Sequence, residues 1–162
     1  MAAKGGVVRG TGLHIQIAAE MKEAGSEVLR AISGLSDEQM SMPAIDGWSV
    51  KDHLNHMTVW HEFRFHEISR IARGGRPAFP PFTDEQLEAV NSVTVALRRS
   101  LPVSQVLADL EFARSLVIEA IGGCPEEALR EENYGEVGLR GGVAHDLDHA
   151  ATIKAWRQKE GM

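Results

Sequence analysis

Cysteine is all but missing: Cys124 is the only one in 162 residues. A single thiol cannot close an internal disulfide, so the cross-linked scaffold of a small secreted domain is excluded. Cys124 stands between Gly122-Gly123 and Pro125, with Glu126 and Glu127 behind it. Those carboxylates disfavour the thiolate that a nucleophile needs. Basic residues are in deficit, with 17 Lys and Arg against 23 Asp and Glu for a net charge of -6. Nothing here offers the basic face that neutralises phosphates, so no nucleic-acid partner is expected. Long apolar runs are absent too. None approaches the ~20 residues that span a bilayer, and no membrane partner is expected. The opening Met-Ala-Ala-Lys-Gly-Gly has no apolar stretch of the secretory kind. A cytoplasmic protein is the expectation, and its length suits one domain over residues 1–162.

Strand signals are scarce as well, because Val and Ile recur at helical spacing instead of alternating. Leu13, Ile17, Met21, Ala24, Val28, Ile32 and Leu35 trace one helical stripe, which predicts a helix from about Leu13 to Ser33 with Gly34 as its stop. Ser36 and Gln39 form a capping box for one short turn before Met42-Pro43. Ser49 and Asp52 form another, opening a helix from about Val50 to Arg73. The segment 74–82 holds three prolines and reads as a crossover, with Phe79 and Phe82 pinning it to the bundle. Thr83 and Gln86 cap a third helix whose buried side reads Leu87, Val90, Thr94, Leu97 and Leu101. Pro102 opens a fourth, with Val106, Leu110, Ala113, Val117 and Ile121 on its stripe and Gly122-Gly123 at its end. Residues 122–142 read as loop, with a turn of helix within Glu126 to Glu131. The last helix covers about Gly142 to Lys159, with His145, His149, Ile153 and Trp156 facing inward. The expected fold is all-α: an antiparallel four-helix bundle with a Pro-rich crossover loop.

Seven histidines are present, and their placement carries the chemistry. His145 and His149 are four apart, which stacks both rings on one helix face about a turn apart. Two neutral imidazoles turned toward a core need polar partners, and a divalent metal supplies one. A third ligand must come from another helix. The helix after Ser49 offers His53, His56, His61 and His66. His56 borders the apolar line through Trp60 and Phe63, and His53 lies one turn earlier; spacing does not choose between them. His61 and His66 read as solvent-facing or at a bundle edge. Asp146 and Asp148 flank the paired histidines and read as a solvated face.

Gly47-Trp-Ser-Val-Lys-Asp-His-Leu-Asn-His56 resembles the signature of the DinB-like (YfiT-like) superfamily, in which a histidine follows the Trp by eight residues. His145-Asp-Leu-Asp-His149 resembles that family's paired histidines on the last helix. Leu87-Glu-Ala-Val-Asn91 and the run from Leu101 to Leu110 are similar to the branch containing ClbS and DfsB proteins. The likeness extends from about residue 13 to 157. It implies a four-helix bundle with a site for zinc, nickel or a similar ion on His56, His145 and His149. It also implies activities ranging from thiol-dependent transfer and isomerisation to hydrolysis of a DNA-alkylating natural product. Many relatives carry Arg-Gly-Gln after the second paired histidine, where this chain has Ala150-Ala151-Thr152; that difference argues against thiol transfer.

Three histidine ligands leave a zinc-type ion an open position for water or substrate. His53, Asp52 and Glu62 are the candidates for moving protons, and Asp52 is also placed to orient His56. Trp48, Trp60 and Asn91 are candidates for contacting a bound molecule, although the tryptophans read first as packing. The expected function is a metal-dependent hydrolase or transferase acting on a small electrophile in detoxification or self-resistance, as a homodimer. Two other readings stay open: a bundle that binds or sequesters a small molecule around a structural or vestigial metal, and a plain helical protein that works by oligomerising.

Overall fold

The computed structural model describes residues 12–130, 132 and 138–162. Part of the loop expected over 122–142, including Glu131, lies outside the described residues. Among the described residues there are six α-helices and one 3-10 turn: α1 (Gly12–Ile32), α2 (Asp37–Ser41), α3 (Val50–Ile71), α4 (Asp84–Arg98), α5 (Val103–Gly123), the turn Glu126–Leu129, and α6 (Gly141–Glu160). All three sequence capping boxes form, at Ser36/Gln39, Ser49/Asp52 and Thr83/Gln86. Each satisfies amide donors that would otherwise lack partners at a helix start.

The bundle proper is α1, α3, α5 and α6. Helix α3 packs along α5 and α1 along α6, with further contact between α1 and α5 and between α3 and α6. Helix α3 is the central rod: every residue from Asp52 to His61 is buried. A helix covered on all sides must carry its polar side chains inside the protein, and these include His53, Asn55, His56 and His61.

The core falls into two apolar clusters. Val28, Leu54, Met57, Leu110, Ile153 and Trp156 belong to one, and Ile17, Met21, Ile68, Val117, Ile121 and Leu139 to the other. A buried polar layer lies between them along the chain of each helix. His61 of α3 donates from Nε2 to the Asp146 carboxylate of α6 at 3.0 and 3.1 Å. Arg114 of α5 donates to the same carboxylate at 2.8 and 3.2 Å. Helix α1 contributes Gly25, where a Cβ would come within 2.8 Å of the Arg114 guanidinium. The missing side chain is the space that the arginine occupies.

Two sequence expectations are corrected by this layer. His61 is not at a bundle edge but 0% exposed, and Asp146 is not on a solvated face but 1% exposed. Each is stabilised inside by the other. A third correction concerns α4, which leans on α3 and buries only Val95. Leu97, expected inside, is 76% exposed, because no described element covers that side of α4.

The crossover is pinned as its rings suggested. Phe79 stacks with Phe63 at 5.3 Å and with Phe82 at 5.8 Å. The buried Glu67 carboxylate accepts from the Ala78 amide at 2.9 and 3.1 Å. No described helix is long and apolar enough to cross a membrane.

Candidate metal centre

The local chain first explains why the rings sit where they do. Before α3, Asp46 and Gly47 both take positive φ, 51° and 87°, and Ile45 pairs with Trp48 through backbone hydrogen bonds of 2.9 Å in both directions. Left-handed conformations at both central positions make a type I′ turn, for which Asp-Gly is well suited. The turn sets Trp48 against α3, where its ring meets His53 at 5.3 Å and His56 at 5.2 Å, edge to face.

One ring nitrogen each from His56, His145 and His149 lies within 4.8 Å of the others. His145 Nε2 is central, 2.7 Å from His56 Nε2 and 3.2 Å from His149 Nε2. Two imidazole lone pairs repel at such distances unless a proton or a cation lies between them. Zinc-type bonds near ~2.1 Å separate tetrahedral ligand nitrogens by roughly 3.4 Å. The 3.2 Å pair already matches that spacing, and the 2.7 Å pair needs only a small opening. Among the described residues no fourth His, Cys, Asp or Glu joins this group.

The rings are also in the right protonation state. Burial, then the neighbouring His149 and His53 and the Arg64 charge, pushes His56 down to about 3. Burial, His149, Arg64 and His56 push His145 down to about 2. Burial and His53 push His149 down to about 4. Neutral imidazoles are metal ligands at physiological pH, with no proton to displace.

A stability prediction follows for the metal-free protein. All three folded pKa values lie below the unfolded value near 6.5. Below pH 6.5 the unfolded chain therefore binds protons that the folded chain refuses. Stability present at pH 7 is lost as the pH falls, at a cost of about 2 kcal/mol for each such imidazole by pH 5. Urea unfolding of chelator-treated protein should show a clearly lower midpoint at pH 5 than at pH 7. An unchanged midpoint would mean that these rings protonate freely in the fold.

The three histidines open onto a cavity of about 380 Å³, lined also by Trp60, Arg64, Leu87, Asn91, Gly141 and Asp148. Trp60 Nε1 donates to Asn91 Oδ1 at 3.0 Å. An indole N–H can only donate, so the Asn91 oxygen is taken and its amide hydrogens remain to be offered. Asp148 is exposed at the rim. Other sequence candidates lie elsewhere. Asp52 does not touch His56; its carboxylate accepts from the Ser49 amide at 3.0 Å and pairs with Arg99 at 3.3 Å. Glu62 is half-exposed and pairs with Arg98 at 3.9 Å. Neither lines the cavity. His53 meets the site from behind, its Nδ1 3.0 Å from His149 Nδ1. His66 is exposed. Cys124 is buried at the end of α5, and its carbonyl accepts from His14 Nε2 at 2.6 Å.

Sequence reasoning missed Arg64, a buried cation on the cavity wall. Its signal was available: it follows His56 by eight residues, a little over two helical turns, and shares that face.

An uncharacterised protein from Escherichia coli UTI89 has the same fold, with a TM-score of 0.77 at 13% identity over 92% of this chain and 95% of that one. No protein of curated function matches the chain. The profile of the DinB superfamily matches residues 20–153, which take in both the α3 histidine and the α6 pair, and the chain belongs to that superfamily.

Proposed function

We propose that this protein holds one divalent ion, zinc, nickel or a similar metal, on His56, His145 and His149. We further propose that it acts as a hydrolase or transferase on a small electrophilic molecule, in the manner of the ClbS and DfsB branch. The observation that carries the reading is the convergence of three neutral imidazoles, with no fourth ligand among the described residues, on the wall of a cavity. A structural zinc site usually has four protein ligands, whereas a catalytic one keeps a position open.

When bound, such an ion supplies Lewis-acid activation at its open position. The chain's own groups do the rest. Trp60 and Leu87 give the cavity an apolar wall that takes the body of a small molecule. Asn91, held by Trp60, turns amide hydrogens toward an acceptor oxygen. Arg64 adds positive charge beside His56 and His145, which favours negative charge developing on a bound electrophile. His56 is buried and the α6 pair is half-buried, which limits water at the site.

The test is metal analysis of protein purified without metal-affinity columns, followed by assays on a panel of epoxides, activated esters and alkyl halides, with and without added thiol. About one ion per chain is expected, with turnover lost on chelation and restored on reloading. Turnover that survives chelation, or protein that takes up no zinc, would sink the proposal.

A further inference from the structure

One buried imidazole is left without a role by the metal reading. His53 is 8% exposed and lies one turn before His56 on α3, yet it faces His149 of α6. A ligand histidine has two ring nitrogens, and the hydrogen bond made by one sets what the other offers. In His149, Nε2 points to the centre, 3.2 Å from His145 Nε2. With an ion on Nε2, the ring's proton sits on Nδ1. That nitrogen is 3.0 Å from His53 Nδ1, so His149 donates and His53 accepts. His53 then carries its own proton on Nε2, which is buried without a hydrogen-bond partner among the described residues.

The outer nitrogens of the other two ligands differ. Nδ1 of His56 and Nδ1 of His145 are buried without a hydrogen-bond partner among the described residues. The α6 helix thus has one ligand ring held from behind, and the holding group comes from α3. His53 is itself braced, with Trp48 edge-on at 5.3 Å and the His149 ring at 5.0 Å.

We infer that His53 is the positioning residue of the centre: by accepting from His149 Nδ1 it fixes the tautomer and the angle of that ring, so that Nε2 faces the ion. The inference rests on the metal reading above. Groups in this outer position are typically worth 10–100-fold in metal affinity.

Zinc affinity, measured by competition with a chromogenic chelator, tests it on the full chain. His53→Leu removes the acceptor and is expected to weaken binding about 10–100-fold. His53→Asn puts an oxygen near the place of Nδ1 and is expected to recover most of that loss. His53→Gln carries its oxygen one carbon farther out and is expected to recover little. X-ray absorption of the zinc-loaded protein should count three imidazoles. Leucine, asparagine and glutamine variants that all bind like the unaltered protein would overturn the inference, as would a count of four imidazoles, which makes His53 a ligand. If His53→Leu does not fold, asparagine against glutamine decides: a difference supports the role and equality removes it. Absence of zinc binding by the unaltered protein is a different result, which overturns the metal reading itself and the role of His53 with it.

Discussion

Replacing His145 with alanine is expected to empty the proposed metal centre. His145 Nε2 is the hub of the three rings, 2.7 Å from one and 3.2 Å from the other. Structural zinc sites with four ligands bind with about 10–16 kcal/mol, which is roughly 3 kcal/mol for each ligand. Losing one of three therefore costs about a hundredfold or more in affinity. At a zinc level that just saturates the unaltered protein, the variant should hold only a small fraction of an ion per chain. The exposed His66 is the control, and His66→Ala should keep full metal content. The assay is elemental analysis after dialysis against a weak chelator. Equal metal in both variants would place the ion somewhere other than these rings.

The second large effect is on stability, from Asp146→Ala. Burial works against the charge of this carboxylate, but the His61 hydrogen bond and the Arg114 guanidinium prevail and hold it down to about 2. Burial likewise lowers His61, despite the neighbouring carboxylate, so His61 stands as a neutral donor. Removing Asp146 leaves the Arg114 cation buried with its carboxylate gone. Breaking a buried pair from one side typically costs 3–5 kcal/mol. For a chain of this size that is a fall in Tm of roughly 6–20 °C. The double variant Asp146→Leu with Arg114→Leu should recover much of the loss, because buried pairs can often be exchanged for apolar groups at little cost. Thermal unfolding by circular dichroism of all the variants reads this directly. A loss below about 1 kcal/mol for Asp146→Ala would show that the layer contributes no more than a surface ion pair. The sign with pH agrees: the folded value lies below the unfolded one, so the carboxylate's contribution is present above pH 4 and fades as the pH falls through about 2.

Much of this was legible in the chain. Helix starts were readable because a capping box spans only four residues, and Ser36, Ser49 and Thr83 each form one. The pairing of His145 with His149 was readable because a separation of four places both rings on one face whatever surrounds the helix. The choice between His53 and His56 was not readable from spacing. The two are a single turn apart, and which one meets Nε2 of His145 depends on how α3 is rotated against α6. His56 was reached through its resemblance to the DinB signature, and its ring nitrogen lies in the group with those of the α6 pair.

The misplaced residues share one cause. His61 and Asp146 were assigned to solvent because each, taken alone, is costly to bury. Their cost is offset only by one another and by Arg114, which lie 85 and 53 residues from His61 along the chain. Leu97 was assigned to the core for the converse reason, since an apolar stripe signals burial only when another element arrives to cover it.

By itself, then, the chain determined its helices, its caps and the stacked pair on α6, all of which depend on neighbours within a few residues. Tertiary structure alone decided which polar side chains face inward: the rings of His56, His145 and His149, His53 behind them, and the His61–Asp146–Arg114 layer. The physical reason is that hydrogen bonding and desolvation of a buried group are properties of the set that surrounds it, and here each set is assembled from different helices.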